Sequence, residues 1–171
     1  HDLGWVRFNL RRAIPAPRDR EARILEGAFR WMGLDPAAGG RLRRQAATEP
    51  PTTFARRKVP GEVYLSLYLE DGVPAWADSL RSWTRALCAA HTPAALPMED
   101  RVLGDPAVPR AWAALLHAAP FERDWIARVL DFAKSRDAAR ELQAVHLYGT
   151  RRRCAMLEAE LDFHAGAPHA A

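Results

Sequence analysis

The chain has 171 residues, of which 49% are hydrophobic and 27% are charged, and its formal net charge is +4. The length fits one domain, and the composition excludes a collagen, a coiled-coil rod and a wholly disordered chain. Its apolar runs fall short of the roughly 18 residues that a membrane-spanning helix needs, so we expect no integral membrane protein.

The basic residues concentrate near the start of the chain. Residues 1–60 carry thirteen Lys and Arg against six Asp and Glu, whereas residues 61–171 carry twelve against fifteen. We expect residues 1–171 to form one compact unit, with a subdivision into these two parts as the alternative. The asymmetry favours an acidic partner, which could be a protein, a nucleic acid or a membrane surface.

The first elements are a short strand and a helix. Residues 5–10 alternate between apolar and polar side chains, which predicts a half-buried strand. Apolar residues then recur at helical spacing over residues 19–32, with Asp19 in the position of an N-cap. Gly33 is expected to end this helix.

The next stretch, residues 34–60, is rich in glycine and proline and poor in large apolar side chains. Such a composition predicts a loop, with one short helix around residues 41–46. We also expect any boundary between subdomains to lie in this stretch.

The clearest strand pattern spans residues 63–69, where Val63, Leu65, Leu67 and Leu69 share one face. This strand has two interpretations. At the edge of a sheet, its unpaired backbone groups could add an extended peptide from a partner. Alternatively, it is fully paired inside the domain, for example with residues 5–10.

From Val73 onward the pattern is helical. One strongly apolar stripe spans the first of these helices and is formed by Val73, Trp76, Leu80, Trp83 and Leu87. We expect this stripe to pack against apolar residues of two later helices, namely Trp112, Trp125 and Val129.

The later helices have recognisable ends. Asp105-Pro106 predicts a helix start, Pro120 an end, and Phe121 opens the following helix. Ser135 begins a long final segment with a possible break at Gly149. The sequence therefore predicts a mainly α fold of five to seven helices with a small two- or three-stranded sheet from its N-terminal third.

The two cysteines, Cys88 and Cys154, are too few for a disulfide framework and wrongly spaced for a zinc ribbon. Both fall within apolar helical patterns, so we expect them to be free thiols in the core. Free thiols are typical of a reducing compartment, and we expect the protein in the cytoplasm.

Signatures of catalysis are scarce. The sequence contains no nucleophile elbow, phosphate-binding loop, dinucleotide fingerprint or helical zinc-protease motif. A metal-dependent helical enzyme is one alternative, because histidines and glutamates occur on several helices. The candidates are His91, His117, His146, His164, Glu122, Glu141, Glu158 and Glu160. They lack the Glu-x-x-His spacing of helical di-metal sites, and we expect no cofactor.

Nucleic-acid binding is the second alternative. Basic clusters at residues 41–44, 56–58 and 151–153 could neutralise phosphates, and Phe54 could stack on a base. However, the chain matches no nucleic-acid-binding module, and its larger C-terminal part is net acidic.

The interpretation we favour is a non-catalytic accessory or adaptor subunit that binds an acidic protein or peptide through its basic N-terminal third. No membrane is involved in this interpretation. The predicted binding residues are Arg41, Arg43, Arg44, Arg56, Arg57, Lys58, Tyr64 and Tyr68.

Overall fold

The computed structural model describes residues 18–68, 72–130 and 135–166. In that part of the chain it has six α-helices, one 3₁₀ turn and one three-stranded sheet, which confirms the predicted mainly α fold. In chain order the elements are α1 (Arg18–Trp31), β1 (Leu42–Ala46), β2 (Thr53–Lys58), β3 (Glu62–Leu67), α2 (Val73–His91), α3 (Met98–Leu103), α4 (Ala107–Ala118), the 3₁₀ turn (Ala119–Phe121), α5 (Arg123–Leu130) and α6 (Ser135–His164). The strand predicted at residues 5–10 lies outside the described residues.

Helix α1 ends as its sequence predicts, but it already includes Arg18, so Asp19 lies within the helix and not at its N-cap. Leu25 and Phe29, one helical turn apart, are both fully buried in the main core. The helix ends at Trp31 because Gly33 adopts a φ of +75°, a conformation that glycine takes without steric cost. This turn lets the amide of Leu34 donate to the carbonyl of Phe29 at 2.9 Å, which caps the helix.

The predicted strand at residues 63–69 is observed as β3, with Val63, Leu65 and Leu67 buried. Leu69 lies outside the described residues. The strand order is β1-β3-β2, so β3 is the central strand, parallel to β1 and antiparallel to β2. The interpretation of β3 as an edge strand is therefore wrong, because its backbone is paired on both sides.

The loop and short helix predicted within residues 34–60 are wrong in part, because this stretch supplies both outer strands. The segment at residues 42–46 is β1, not a helix, and residues 53–58 form β2. Each strand contributes one large apolar side chain to the inner face, Leu42 opposite Val63 and Phe54 opposite Leu65. One large apolar side chain gives no alternating pattern, so pairing with β3 decides the conformation of both segments.

Helix α2 is the centre of the fold and confirms the predicted apolar stripe. It packs against the sheet on one side and against α4 on another. Trp76, Leu80 and Trp83 are buried in the core that also contains Phe29 and Leu65. The indole N–H of Trp83 donates to the carbonyl of Pro36 at 3.1 Å, which joins α2 to the turn before β1.

The predicted partners of this stripe are observed only in part. Trp125 does contact Trp76, edge to face with ring centroids 6.4 Å apart. Trp112, however, is 52% exposed, because α4 packs through Ala113 and Leu116 instead. The side chain of Val129 lies outside the described residues. Helix α3, a short helix without a buried residue, is not predicted by the sequence analysis.

Helix α6 is continuous through Gly149, so the predicted break is not observed. Its first half is anchored in a second core, where Ala139 and Leu142 pack with Val73, Ala77 and Phe121. Residues 151–166 are all exposed. None of the helices in the described ranges has both the length and the apolar character needed to cross a membrane.

The continuity of α6 predicts that Gly149→Ala stabilises the protein by about 0.5–1 kcal/mol, since alanine loses less backbone entropy in a helix. A Cβ atom at Gly149 would meet no other atom within 4 Å. The midpoint of urea unfolding measures this change. Gly33→Ala is the control and should destabilise, because its φ of +75° disfavours a side chain. A lower midpoint for Gly149→Ala would contradict a regular helix at this position.

Candidate functional site

One face of the sheet is covered by α2, and the opposite face carries polar and charged side chains. Paired residues on neighbouring strands share a face, so Arg43 and Ala55 lie beside Tyr64, on the side away from the buried Val63 and Leu65. We call this surface the open sheet face. It is formed by Arg43, Gln45, Thr53, Ala55, Arg57, Lys58, Glu62, Tyr64 and Ser66.

The charges of the open sheet face are arranged around one carboxylate. The Tyr64 hydroxyl donates to Glu62 Oε1 at 2.5 Å, and Arg57 Nη1 lies 3.5 Å from the same oxygen. The hydrogen bond from Tyr64 lowers the pKa of Glu62, and the charges of Arg57, Arg43 and Lys58 lower it further. Three cations therefore surround one anion, and the surface is net positive.

Two of the predicted binding residues make contacts within the molecule, although Arg44 remains exposed. Arg44 lies on the inner side of β1, where it forms an ion pair with Glu26 of α1. Its guanidinium also lies 5.0 Å from the ring centroid of Trp83, a cation–π geometry. Arg41 Nε donates to the carbonyl of Ala38 at 2.9 Å.

Arg56 and Tyr68 are also engaged within the molecule. Arg56 Nη1 donates to the carbonyl of Val102 at 2.9 Å, which ties β2 to α3. The backbone of Tyr68 forms two hydrogen bonds with the Thr52 hydroxyl, at 2.9 and 3.0 Å. The structure thus brings four of the eight predicted residues together on the open sheet face, namely Arg43, Arg57, Lys58 and Tyr64.

The structure also contains a second candidate site, which the sequence analysis does not predict. A cleft of about 360 Å³ lies between α2, the 3₁₀ turn at the end of α4, and α6. We call it the cationic cleft. Its charged and titratable side chains are Asp78, Arg81, His117, His146, Arg152 and Arg153, and its larger apolar side chains are Phe121, Val145 and Met156.

The two histidines of the cationic cleft come from different helices, and their neighbouring rings are tilted by 41° relative to each other. Their ring centroids are 5.8 Å apart, and the ring of Phe121 stacks on His146 at 4.6 Å. His117 Nε2 lies 3.4 Å from Asp78 Oδ1. The aromatic contacts and the carboxylate fix the orientation of both imidazole rings.

Two basic groups of the cationic cleft, His146 and Arg81, have lowered pKa values. Partial burial lowers the pKa of His146, and the nearby charges of His117, Arg153 and Arg81 lower it further. Burial likewise lowers the pKa of Arg81, and Arg153 adds to this effect while Asp78 opposes it. The cleft therefore holds more positive charge than Asp78 neutralises.

The histidines and carboxylates considered for a metal centre do not assemble into one. Within the described ranges, no three His, Cys, Asp or Glu side chains are placed to hold a metal ion. His91 contacts the carbonyl of Leu87 through Nδ1 at 3.2 Å, and His164 is exposed in the last turn of α6. Only His117 and His146 of the four histidines meet.

The cysteines differ in their surroundings. Cys88 is half-buried, and burial raises the pKa of its thiol. Cys154 is exposed on α6, so the expectation that both thiols lie in the core is wrong for this one. The apolar pattern of α6 predicts burial of Cys154, but the second half of this helix has no described neighbour to pack against.

Comparison of the chain with models of protein families, with curated proteins and with solved structures yields no match.

Proposed function

We propose that the protein is a non-catalytic accessory subunit that binds an acidic segment of a partner protein on the open sheet face. One observation carries this proposal: Arg43, Arg57 and Lys58, from two different strands, converge around the single carboxylate of Glu62. Such an excess of fixed positive charge attracts acidic partners and orients them on encounter.

The form of this surface favours an extended protein segment as the ligand. The open sheet face is polar, and its cations lie on both outer strands, on either side of Tyr64. A chain lying across it can place carboxylates near Arg43 and Arg57 at once. Two free thiols fit a reducing compartment, and we therefore propose a cytoplasmic location.

Nucleic acid is less well matched to the same surface. Tyr64 is the aromatic residue at its centre, and its hydroxyl is bound to the negatively charged Glu62. That carboxylate would repel phosphates passing over the ring, whereas stacking sites for nucleic acids place aromatic rings in a positively charged groove.

The proposal predicts that R43A/R57A/K58A weakens binding of an acidic peptide about tenfold. Each exposed ion pair contributes a few tenths of a kcal/mol to 1 kcal/mol, so three together approach one order of magnitude. The probe is a fluorescent peptide of alternating glutamate and valine, and anisotropy gives its Kd at about 0.05 M and 0.5 M salt. The unfolding midpoint should barely change, because these charges are exposed.

The matched control removes the same charge from two helices outside the open sheet face. R123A/R140A/R151A alters three exposed arginines on α5 and α6 and should leave the peptide affinity unchanged. Equal weakening by both triple variants would reduce the effect to net charge and refute the proposed surface. Preferential binding of a single-stranded oligonucleotide over the peptide would instead support the nucleic-acid alternative.

A further inference from the structure

The cationic cleft has an uncompensated positive charge that the proposed function does not use. Asp78 is already shared, since its Oδ1 lies 3.4 Å from His117 Nε2 and 3.8 Å from Arg81 Nη1. Arg152 and Arg153 line the same cleft, and neither forms an ion pair with any residue in the described part of the chain. Two arginines are thus free to bind an anion.

The cleft is also lined by apolar side chains. Phe121 stacks on His146 and is itself buried, while Val145 and Met156 lie about three turns apart on α6, the helix that also carries the two arginines. The volume of about 360 Å³ is within the range of roughly 300–1,000 Å³ typical of small-molecule sites. A ligand suited to this space combines an anionic group with an apolar group.

We propose that the cationic cleft binds a small phosphate or sulfate monoester, with its oxyanion between Arg81, Arg152 and Arg153 and its apolar group against Phe121 and Met156. Arginine suits this role because its planar guanidinium donates two parallel hydrogen bonds to a tetrahedral oxyanion. The two imidazole rings lie beside the oxyanion and add a third source of donors.

Binding of the oxyanion is coupled to protonation of His146. In the free cleft the charged and titratable groups around His146 are Arg81 and Asp78 of α2, His117 of α4, Arg152 and Arg153 of α6 and Glu122 after the 3₁₀ turn. Burial and the surrounding cations lower the pKa of His146, so its ring is neutral near pH 7. A bound anion offsets part of that repulsion and raises the pKa of His146, so affinity increases as the pH falls through the bound-state pKa and levels off below the free-state pKa.

The test uses phenyl sulfate, inorganic sulfate and phenol as probes, because the charge of the sulfates stays constant over the relevant pH range. Binding to the full chain is followed by NMR of the imidazole resonances and of the backbone amides. We expect phenyl sulfate to bind more tightly than sulfate, phenol not to bind, and the titration of His146 to move to higher pH. R152A/R153A should weaken the Kd for phenyl sulfate at least about tenfold, the effect of losing one charge-assisted hydrogen bond.

The chain offers a closely matched control. R140A/R151A removes two exposed arginines from the same helix, outside the cleft, and should retain the wild-type affinity. H146Q should still bind phenyl sulfate at pH 8 but lose most of the gain in affinity at lower pH. The proposal is overturned if the control pair weakens binding as much as R152A/R153A, if sulfate and phenol bind as well as phenyl sulfate, or if the His146 titration does not move.

Discussion

Replacing Trp83 by alanine is expected to lower the free energy of unfolding by about 3–5 kcal/mol, a large share of the stability of an ordinary domain. The side chain is 0% exposed and packs against Phe29, with ring centroids 5.2 Å apart. Its ring also lies 5.0 Å from the guanidinium of Arg44, and its N–H donates a hydrogen bond to the carbonyl of Pro36. Chemical denaturation followed by circular dichroism measures the loss.

A comparison with Trp76 separates packing from hydrogen bonding. Both indole rings are fully buried, but the N–H of Trp76 has no hydrogen-bond partner among the described residues. Trp83→Phe leaves the carbonyl of Pro36 without its hydrogen-bond donor, whereas Trp76→Phe removes a polar group that is already unsatisfied. Trp83→Phe should therefore cost more, and an equal loss in the two variants would show that the bond to Pro36 contributes nothing.

Replacing Leu142 by alanine is expected to cost about 2–5 kcal/mol, because a buried leucine leaves a cavity. Leu142 is 0% exposed and holds α6 to Val73, Ala77 and Phe121, the small core beneath the cationic cleft. Amide hydrogen exchange should accelerate most within α6, since this core is its main anchor. Global stability and exchange are measured on the same variant.

The control lies four turns further along the same helix. Leu157 is 56% exposed, so Leu157→Ala should change the free energy of unfolding by less than about 0.5 kcal/mol. A large loss in this variant would mean that the second half of α6 is buried in solution. An unchanged stability of Leu142→Ala would contradict the second core.

The spacing of apolar residues predicted an element correctly where that element has a regular apolar face of its own. Helix α2 and strand β3 have such faces, with Trp76, Trp83 and Leu65 among their buried residues, and both were predicted. Strands β1 and β2 were not, since each gives the core a single large side chain and is specified by the register with β3. Trp112 shows the converse, an apolar residue at helical spacing that remains exposed.

The sites were less predictable than the fold, because each depends on more than one element. Arg43 and Arg57 are 14 residues apart in the chain but flank the same strand, and only the register reveals this. In the cationic cleft, the spacing of His146 and Arg153 already placed both on one face of α6. Their convergence with His117 depends on how α4 and α6 pack, which no local pattern encodes.

The position of β3 between two earlier strands has a consequence for synthesis of the chain. During translation β1 and β2 leave the ribosome first, yet neither pairs with the other in the finished sheet. Both must wait for β3, which ends at Leu67, before either gains its backbone partners. Residues 42–58 therefore leave the ribosome before their pairing partner, and β3 completes the pairing of both strands.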